Sequence, residues 1–197
     1  MRSVPWQEFL AWARERDIAA DDRSAPCDCL VFTPETDHRR FWDYPEDAGA
    51  FEDFLRTAIT LAGFGSEWFA RLRGGGRWIA NDSDPSSARI GRALAATGMA
   101  RDLEGAILVP AGEQELLVSI ALPLARWGWF VEHDVQLIPD HGKMILMTDH
   151  HRVLHASFRT EPEAEAFVDR MAAAGHALPE ELQDETFKVP SWMKKDQ

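Results

Sequence analysis

With 197 residues the chain is long enough to bury its own hydrophobic core, and we expect one domain over residues 1–183. Its 21 Lys and Arg are outnumbered by 33 Asp and Glu, and the net charge of −12 disfavours nucleic acid and anionic membranes as partners. The charged, proline-containing start argues against a signal peptide, and no apolar run approaches the roughly 20 residues of a membrane span. The two cysteines are separated by a single residue and cannot easily form a disulfide with each other. We therefore expect a cytoplasmic protein.

The first third of the chain predicts two helices and a short strand. Ser3 is a suitable cap for a helix that runs to about Arg16, with an apolar stripe formed by Trp6, Phe9, Leu10 and Ala13. The apolar run at residues 30–32, which Pro34 follows closely, is typical of a brief strand. A second helix begins near Glu46 and ends at Gly63, with a stripe formed by Phe51, Phe54, Leu55, Ala58 and Ile59.

The next segment predicts a hairpin and a helix. Residues 67–72 and 77–80 flank three consecutive glycines, a pattern that favours two strands with a flexible connection. Asp84-Pro85 then opens a third helix, which closes at Gly98.

Residues 106–109 predict a strand, whereas residues 113–126 fit both the helical and the strand period. Alternate residues from Leu116 to Leu122 are apolar, yet the same segment also contains an apolar stripe at helical spacing. We favour the helix because Glu113 and Glu115 would lie at its positive N-terminal end.

Residues 129–158 predict a three-stranded antiparallel meander. The first strand, up to Leu137, alternates between an apolar face that includes His133 and a polar face made of Glu132, Asp134 and Gln136. Residues 144–147 are apolar on both faces and predict the central strand, and residues 153–158 form the third. Turns are expected at residues 139–142 and 149–151.

These turn lengths predict the register of the meander. They place His155 opposite Ile145 and His133 opposite Thr148, on opposite sides of the central strand. We therefore expect that the two histidines do not form one site.

The end of the chain predicts one more helix and an extended tail. Thr160 caps a helix that ends at Gly175, with a buried stripe formed by Ala164, Phe167, Val168, Met171 and Ala172. Residues 184–197 form the tail. Residues 84–98 and 161–175 share the same spacing from proline to glycine, which raises the alternative of two hairpin-plus-helix units. The whole pattern indicates the α+β class.

Histidines concentrate in the predicted meander, and imidazole both transfers protons and binds transition metals. One alternative is therefore a catalytic set made of His133, His155, Asp149 and His151. A second alternative is a metal site made of His150, His151 and His155. The spacing matches no known ligand signature, so we expect no metal and no other cofactor.

Cys27 and Cys29 lack the two-residue gap of a metal knuckle, and no second cysteine pair exists. A catalytic cysteine would need a base nearby, for which His38 is a candidate only by its proximity in the sequence.

The negative charge is concentrated in two segments. Residues 35–53 carry a charge of −5 and residues 161–185 a charge of −7, which together account for the whole −12. The first segment also contains aromatic residues beside acids, a composition typical of a binding anchor. We name the candidate binding residues Trp42, Asp43, Tyr44, Glu46 and Asp47.

The hypothesis that the sequence favours is a non-enzymatic domain that binds a basic protein through an acidic, aromatic-bearing surface. An inhibitor or immunity-type protein is one form of it, by chemical analogy alone. A metal-dependent or acid–base hydrolase that uses the meander histidines is the alternative, and a small-molecule binding protein is the second alternative.

Overall fold

A computed structural model describes residues 1–21, 29–34, 38–73, 85–98, 105–128 and 133–180. The helices in these ranges are α1 (Trp6–Arg14), α2 (Ala48–Gly63), α3 (Pro85–Ala96), α4 (Gln114–Trp127) and α5 (Glu161–Ala173). The strands are β1 (Arg2–Val4), β2 (Ile18–Asp21), β3 (Cys29–Phe32), β4 (Arg39–Asp43), β5 (Trp68–Leu72), β6 (Ala106–Val109), β7 (Val135–Pro139), β8 (Met144–Thr148) and β9 (Val153–Phe158). None of these helices is long and apolar enough to cross a bilayer.

The strands form a seven-stranded sheet in the order β1-β6-β5-β7-β8-β9-β4, and β2 and β3 form a separate two-stranded sheet. Every pair of neighbouring strands is antiparallel. The predicted α+β class is confirmed, as is the helical interpretation of residues 113–126.

One face of the large sheet is covered by helices. α4 and α5 contact the sheet, α2 contacts both of them, and α3 packs on α4. Large side chains such as Trp68, Phe54 and Phe167 fill the space between these helices and the sheet. Phe167 contacts Phe158 of β9 and Trp42 of β4, so α5 packs on the β9–β4 end of the sheet.

The other face is covered by α1 and the β2–β3 hairpin. Phe9 of α1 packs on Phe69 of β5, and Phe32 of β3 belongs to the same core as Ile138 and Ile145. Because adjacent residues of a strand point to opposite faces, Trp68 and Phe69 serve the two cores separately.

The predicted start of the first helix was wrong. Ser3 does not cap α1, because residues 2–4 pair with β6 as strand β1. Gly105 permits this pairing, since a Cβ atom at that position would lie 1.8 Å from the carbonyl oxygen of Val4. A substitution of Gly105 would therefore push β1 off the sheet.

The first strand of the meander is shorter and more deeply buried than predicted. β7 begins only at Val135, and its predicted polar face is buried at Asp134 and Gln136. Strict alternation of polarity applies to a sheet with one solvated face, whereas this sheet is covered on both sides.

The predicted register was also wrong. His155 lies opposite Met147, and Thr148 lies opposite Val135. The β8–β9 loop comprises residues 149–152 and is one residue longer than predicted; the Asp149 amide donates to the carbonyl oxygen of Val153, and Arg152 adopts a left-handed conformation with φ 69°.

α5 follows its prediction with local differences. The hydroxyl of Thr160 binds the carboxylate of Glu163 rather than a backbone amide. Val168 is only half-buried and Ala172 is exposed. Residues 77–80, 129–132 and 184–197 lie outside the described residues, so the hairpin-plus-helix repeat and the extended tail stay predictions.

Candidate functional site

Two buried aspartates lie at one end of the large sheet, where β5 and β8 end and β7 and β9 begin. Asp134 precedes β7, and its carboxylate is 2.9 Å from Nη1 of Arg73, which follows β5. The same carboxylate accepts hydrogen bonds of 2.9 Å from the backbone amide and from Nδ1 of His150. The hydrogen bond with Asp134 raises the pKa of His150 above its ordinary value, although burial opposes the shift.

Asp149 occupies the β8–β9 loop. Its carboxylate lies 2.5 Å from Nε2 of His155 and accepts a 2.9 Å bond from the amide of Val153. Burial is the largest single influence and acts to raise the pKa of Asp149, but the hydrogen bond and charge of His155, together with the amide of Val153, outweigh it and leave the pKa below its ordinary value. An ionised carboxylate only accepts hydrogen bonds, so Nε2 of His155 carries the proton and Nδ1 is left for other partners.

Tyr44 connects β4 to this loop. Its hydroxyl accepts a 3.0 Å bond from the amide of Asp149 and lies 3.4 Å from the carbonyl oxygen of the same residue. Burial, together with the negative charge of Asp149, raises the pKa of Tyr44 well above 10.0. The phenol therefore stays neutral and acts as a structural link.

The histidines do not assemble as the catalytic alternative requires. His133 is buried against Gly128 at the end of α4, whereas His155 lies on the opposite, β3-covered face of the sheet. His151 is exposed and stacks beside His150, with ring centroids 4.1 Å apart. Within the described part of the chain, no three His, Cys, Asp or Glu residues are placed to hold a metal ion.

A small pocket with a cavity volume of about 50 Å³, open to solvent, lies between β3 and the sheet face that carries His155. Arg39, His155 and Ser157 supply polar groups, and Ile145 and Met147 supply its apolar floor. β3 forms the opposite wall. We call this site the β3 pocket.

Gln136 holds β3 in place over the sheet. Its side-chain oxygen accepts a 2.8 Å bond from the amide of Leu30, and its nitrogen donates a 3.0 Å bond to the carbonyl oxygen of Leu30. The nitrogen also lies 3.5 Å from the sulfur of Cys29. Sequence reasoning missed this role, because a lone Gln in a strand carries no signal that it binds another backbone.

The base suggested for a catalytic cysteine is not near the thiol. Nδ1 of His38 lies 2.8 Å from the carboxylate of Glu161, at the start of α5. Cys29 instead lines the β3 pocket, which His155 also lines. Cys27 lies outside the described residues.

The aromatic members of the predicted binding surface are buried. Trp42 is 2% exposed, packs on Phe167 and donates a hydrogen bond to the carbonyl oxygen of His176. Tyr44 is 7% exposed and packs on Phe51. Their interpretation as surface anchors was wrong, because the strand that carries them lies beneath α5 and α2.

The acidic members of that surface lie where α2 begins. Glu46 and Asp47 are exposed and Asp43 is half-buried. Asp47 is the cap of α2, since its carboxylate accepts bonds of 3.0 and 2.9 Å from the amides of Gly49 and Ala50. Asp47 therefore has a structural task besides its charge.

The two acidic segments come together in the fold. α2, from the first, contacts α5, from the second, and Phe54 of α2 contacts His176 just beyond α5. On α5, Glu165 and Asp169 are exposed and have no hydrogen bond or ion pair with any described residue. We call Glu46, Asp47, Glu165 and Asp169 the α2–α5 acidic face.

Comparison of the chain with models of protein families, with curated proteins and with solved structures gives no match.

Proposed function

We propose that the protein is a binding domain that holds a basic protein partner on the α2–α5 acidic face. The observation that carries this proposal is that Glu165 and Asp169 have no hydrogen bond or ion pair with any described residue. They are spaced i and i+4 on one helix, where like charges repel each other and destabilise the helix. A charge arrangement that costs stability and has no partner in the described part of the chain is suited to an external cation.

The surroundings of these carboxylates support the same function. Ala166, Ala172 and Ala173 are exposed on the same helix, and their short side chains do not screen the two acids from an approaching partner. Glu161, one turn before Glu165, is bound to Arg40 and His38. Glu161 therefore has partners within the fold, whereas Glu165 and Asp169 have none among the described residues.

Lysine and arginine side chains are the complementary groups. An acidic surface on a protein of charge −12 attracts a basic partner over distances comparable to the Debye length, and it acts mainly on the association rate. The proposed binding takes place in the cytoplasm, the location that the cysteines predict.

The test compares two charge reversals of equal size. Glu165→Lys with Asp169→Lys alters the acidic face, while Glu8→Lys with Glu15→Lys alters one exposed acid of α1 and one directly after it; α1 covers the opposite face of the sheet. Binding of a lysine-rich peptide is measured at low and at moderate salt. We expect the α5 variant to lose at least about tenfold in affinity at low salt, with a much smaller loss in the α1 variant.

Equal losses in the two variants would mean that only net charge matters, and the proposed face would be wrong. Asp47 is left unchanged in this experiment because its substitution would remove the cap of α2, at a cost of about 1 kcal/mol.

A further inference from the structure

A group of exposed arginines lies on the helical layer, away from the acidic face. α3 packs on α4, α4 packs on α2 and α2 packs on α5, so α3 lies at one end of the layer and α5 at the other. Arg89 and Arg92 are exposed on α3, and Arg126 is exposed in the last turn of α4. We call these three arginines, together with Trp127, the α3–α4 arginine patch.

Trp127 brings the guanidinium groups together. The guanidinium carbon of Arg89 lies 4.2 Å from the centre of the Trp127 ring, and that of Arg126 lies 5.9 Å from it. Arg92 follows Arg89 by three residues, so their Cβ atoms are about 5–6 Å apart on the helix surface. Two helices thus hold three positive charges around one half-buried indole.

These charges are not neutralised by the described part of the fold. Residues 85–98 and 116–128 contain no Asp or Glu, although the chain as a whole is strongly acidic. None of the three arginines has a hydrogen bond or an ion pair with a described residue. Ion pairs with carboxylates are made by Arg2, Arg16, Arg40, Arg56, Arg73 and Arg159. The like charges of the patch therefore repel each other without compensation from these neighbours.

The stacked guanidinium of Arg89 is suited to bind a carboxylate. A guanidinium that lies on an aromatic face keeps its N–H groups in its own plane, where they can donate to another partner. Two parallel hydrogen bonds from such a group to one carboxylate are stronger than bonds between neutral groups. Arginine and tryptophan are also the residue types that are enriched at the centres of protein interfaces.

The layout of the patch indicates the kind of anion. Its charges are spread over the exposed sides of two helices, an arrangement that matches several separate carboxylates better than one compact phosphate. The residues one turn from Arg92 on either side are Ala88 and Ala95, whose short side chains leave the guanidinium accessible. A partner surface can therefore approach α3 closely.

From these observations we propose that the α3–α4 arginine patch binds an acidic segment of a partner protein. Glutamate or aspartate carboxylates of that segment pair with Arg89, Arg92 and Arg126. This binding does not depend on the function proposed for the acidic face, because the two surfaces lie on different helices and attract ligands of opposite charge.

The first test is an NMR titration of the full chain, which follows the indole N–H resonance of Trp127. The probes are a glutamate-rich peptide, the same peptide with glutamine in place of every glutamate, and inorganic phosphate at matched ionic strength. We expect the glutamate-rich peptide alone to shift the resonance of Trp127, with an affinity that falls as salt is added. Equal binding of the glutamine peptide would refute the role of the carboxylates, and equal binding of phosphate would refute the acidic segment.

Variants locate the binding. Arg89→Gln with Arg92→Gln is expected to weaken the glutamate-rich peptide about tenfold at low salt, and Arg92→Gln alone about threefold. Arg2→Gln with Arg14→Gln removes the same charge from β1 and α1 and is expected to have less than about a twofold effect. Equal losses in the two double variants would overturn the proposal.

Two controls separate this binding from other interactions. Binding of the lysine-rich peptide should not weaken in Arg89→Gln with Arg92→Gln, so a failure of either proposal leaves the other testable. Sedimentation of the chain alone is expected to show a monomer. A dimer that the same double variant dissociates would assign the patch to the acidic face of a second copy and would refute a separate acidic partner.

Discussion

The two faces of the large sheet are covered in different ways. On the helical face, aromatic and aliphatic side chains of α2, α4 and α5 form a continuous apolar core. On the opposite face, the sheet carries polar side chains such as Arg71, Gln136 and His155 beneath α1 and β3. Arg71 is stacked on Trp6 and donates to the carbonyl oxygen of Leu72, and Gln136 binds the backbone of β3.

This difference assigns separate tasks to the two faces. An apolar core contributes stability through burial and packing, so the helical face is expected to carry most of it. A face that also carries buried polar side chains contributes less, but it can present chemistry to a ligand.

The largest expected effect lies in the helical core. Phe167→Ala should lower the free energy of unfolding by about 3–5 kcal/mol, because the ring is fully buried against Trp42 and Phe158. Val31→Ala, at the β3 pocket, should cost about 1 kcal/mol, because Val31 is only half-buried. Chemical denaturation measures both, and similar losses would contradict the division between the faces.

The second largest loss of stability should occur at the end of the sheet that carries Asp134. Asp134→Asn should cost about 3 kcal/mol, since it removes the buried negative charge that pairs with the guanidinium of Arg73 and with the ring of His150. Asp17→Asn, which breaks the exposed pair with Arg159, should cost less than about 1 kcal/mol. If the two variants melt alike, the network around Asp134 does not stabilise the fold as described.

The contribution of His150 should depend on pH. Folding raises its pKa above 6.5, so its stabilising effect is fully present below that pH and is lost as the pH rises through the raised value. The difference in unfolding free energy between the native protein and His150→Gln should therefore shrink from about pH 6 to pH 8. Asp149 titrates below 3.8 and does not interfere in this window. A difference that grows with pH would show that the pair with Asp134 does not favour the protonated ring.

The smallest effect concerns the acidic face and has the opposite sign. Asp169→Lys should stabilise the fold by about 0.3–0.5 kcal/mol, because it replaces repulsion from Glu165 by an i, i+4 attraction. The gain should decrease as salt is added. A loss of stability at low salt would mean that Asp169 has an internal role, which would remove the main support for the proposed binding face.

Much of the fold could be predicted from local patterns. The stripe of Phe51, Phe54 and Leu55 and the stripe of Ala164, Phe167 and Met171 recur at helical spacing, and all six residues are buried as expected. Glycine and proline positions marked the limits of α2 and α5 within a few residues. Such signals depend only on residues close in sequence, so they predict helices without knowledge of tertiary contacts.

The site was less predictable because it depends on contacts between distant segments. Residues 2–4 have a pattern typical of a helix cap but form a strand because they pair with β6, and no residue near Ser3 indicates this pairing. Trp42 looked like a surface anchor because it stands beside Asp43, but only the placement of α5 decides its burial. The register of β8 and β9 depended on the conformation of one residue, Arg152.

The most direct test of the account is to map where a lysine-rich peptide contacts the protein. Backbone amide resonances are recorded during a titration at low salt. We expect shifts concentrated on α5 around Glu165 and Asp169 and on the start of α2, while α1 and the β2–β3 hairpin are unaffected. Shifts on α1 of the same size as those on α5 would contradict it, because binding would then follow the overall charge of −12 and not a particular face.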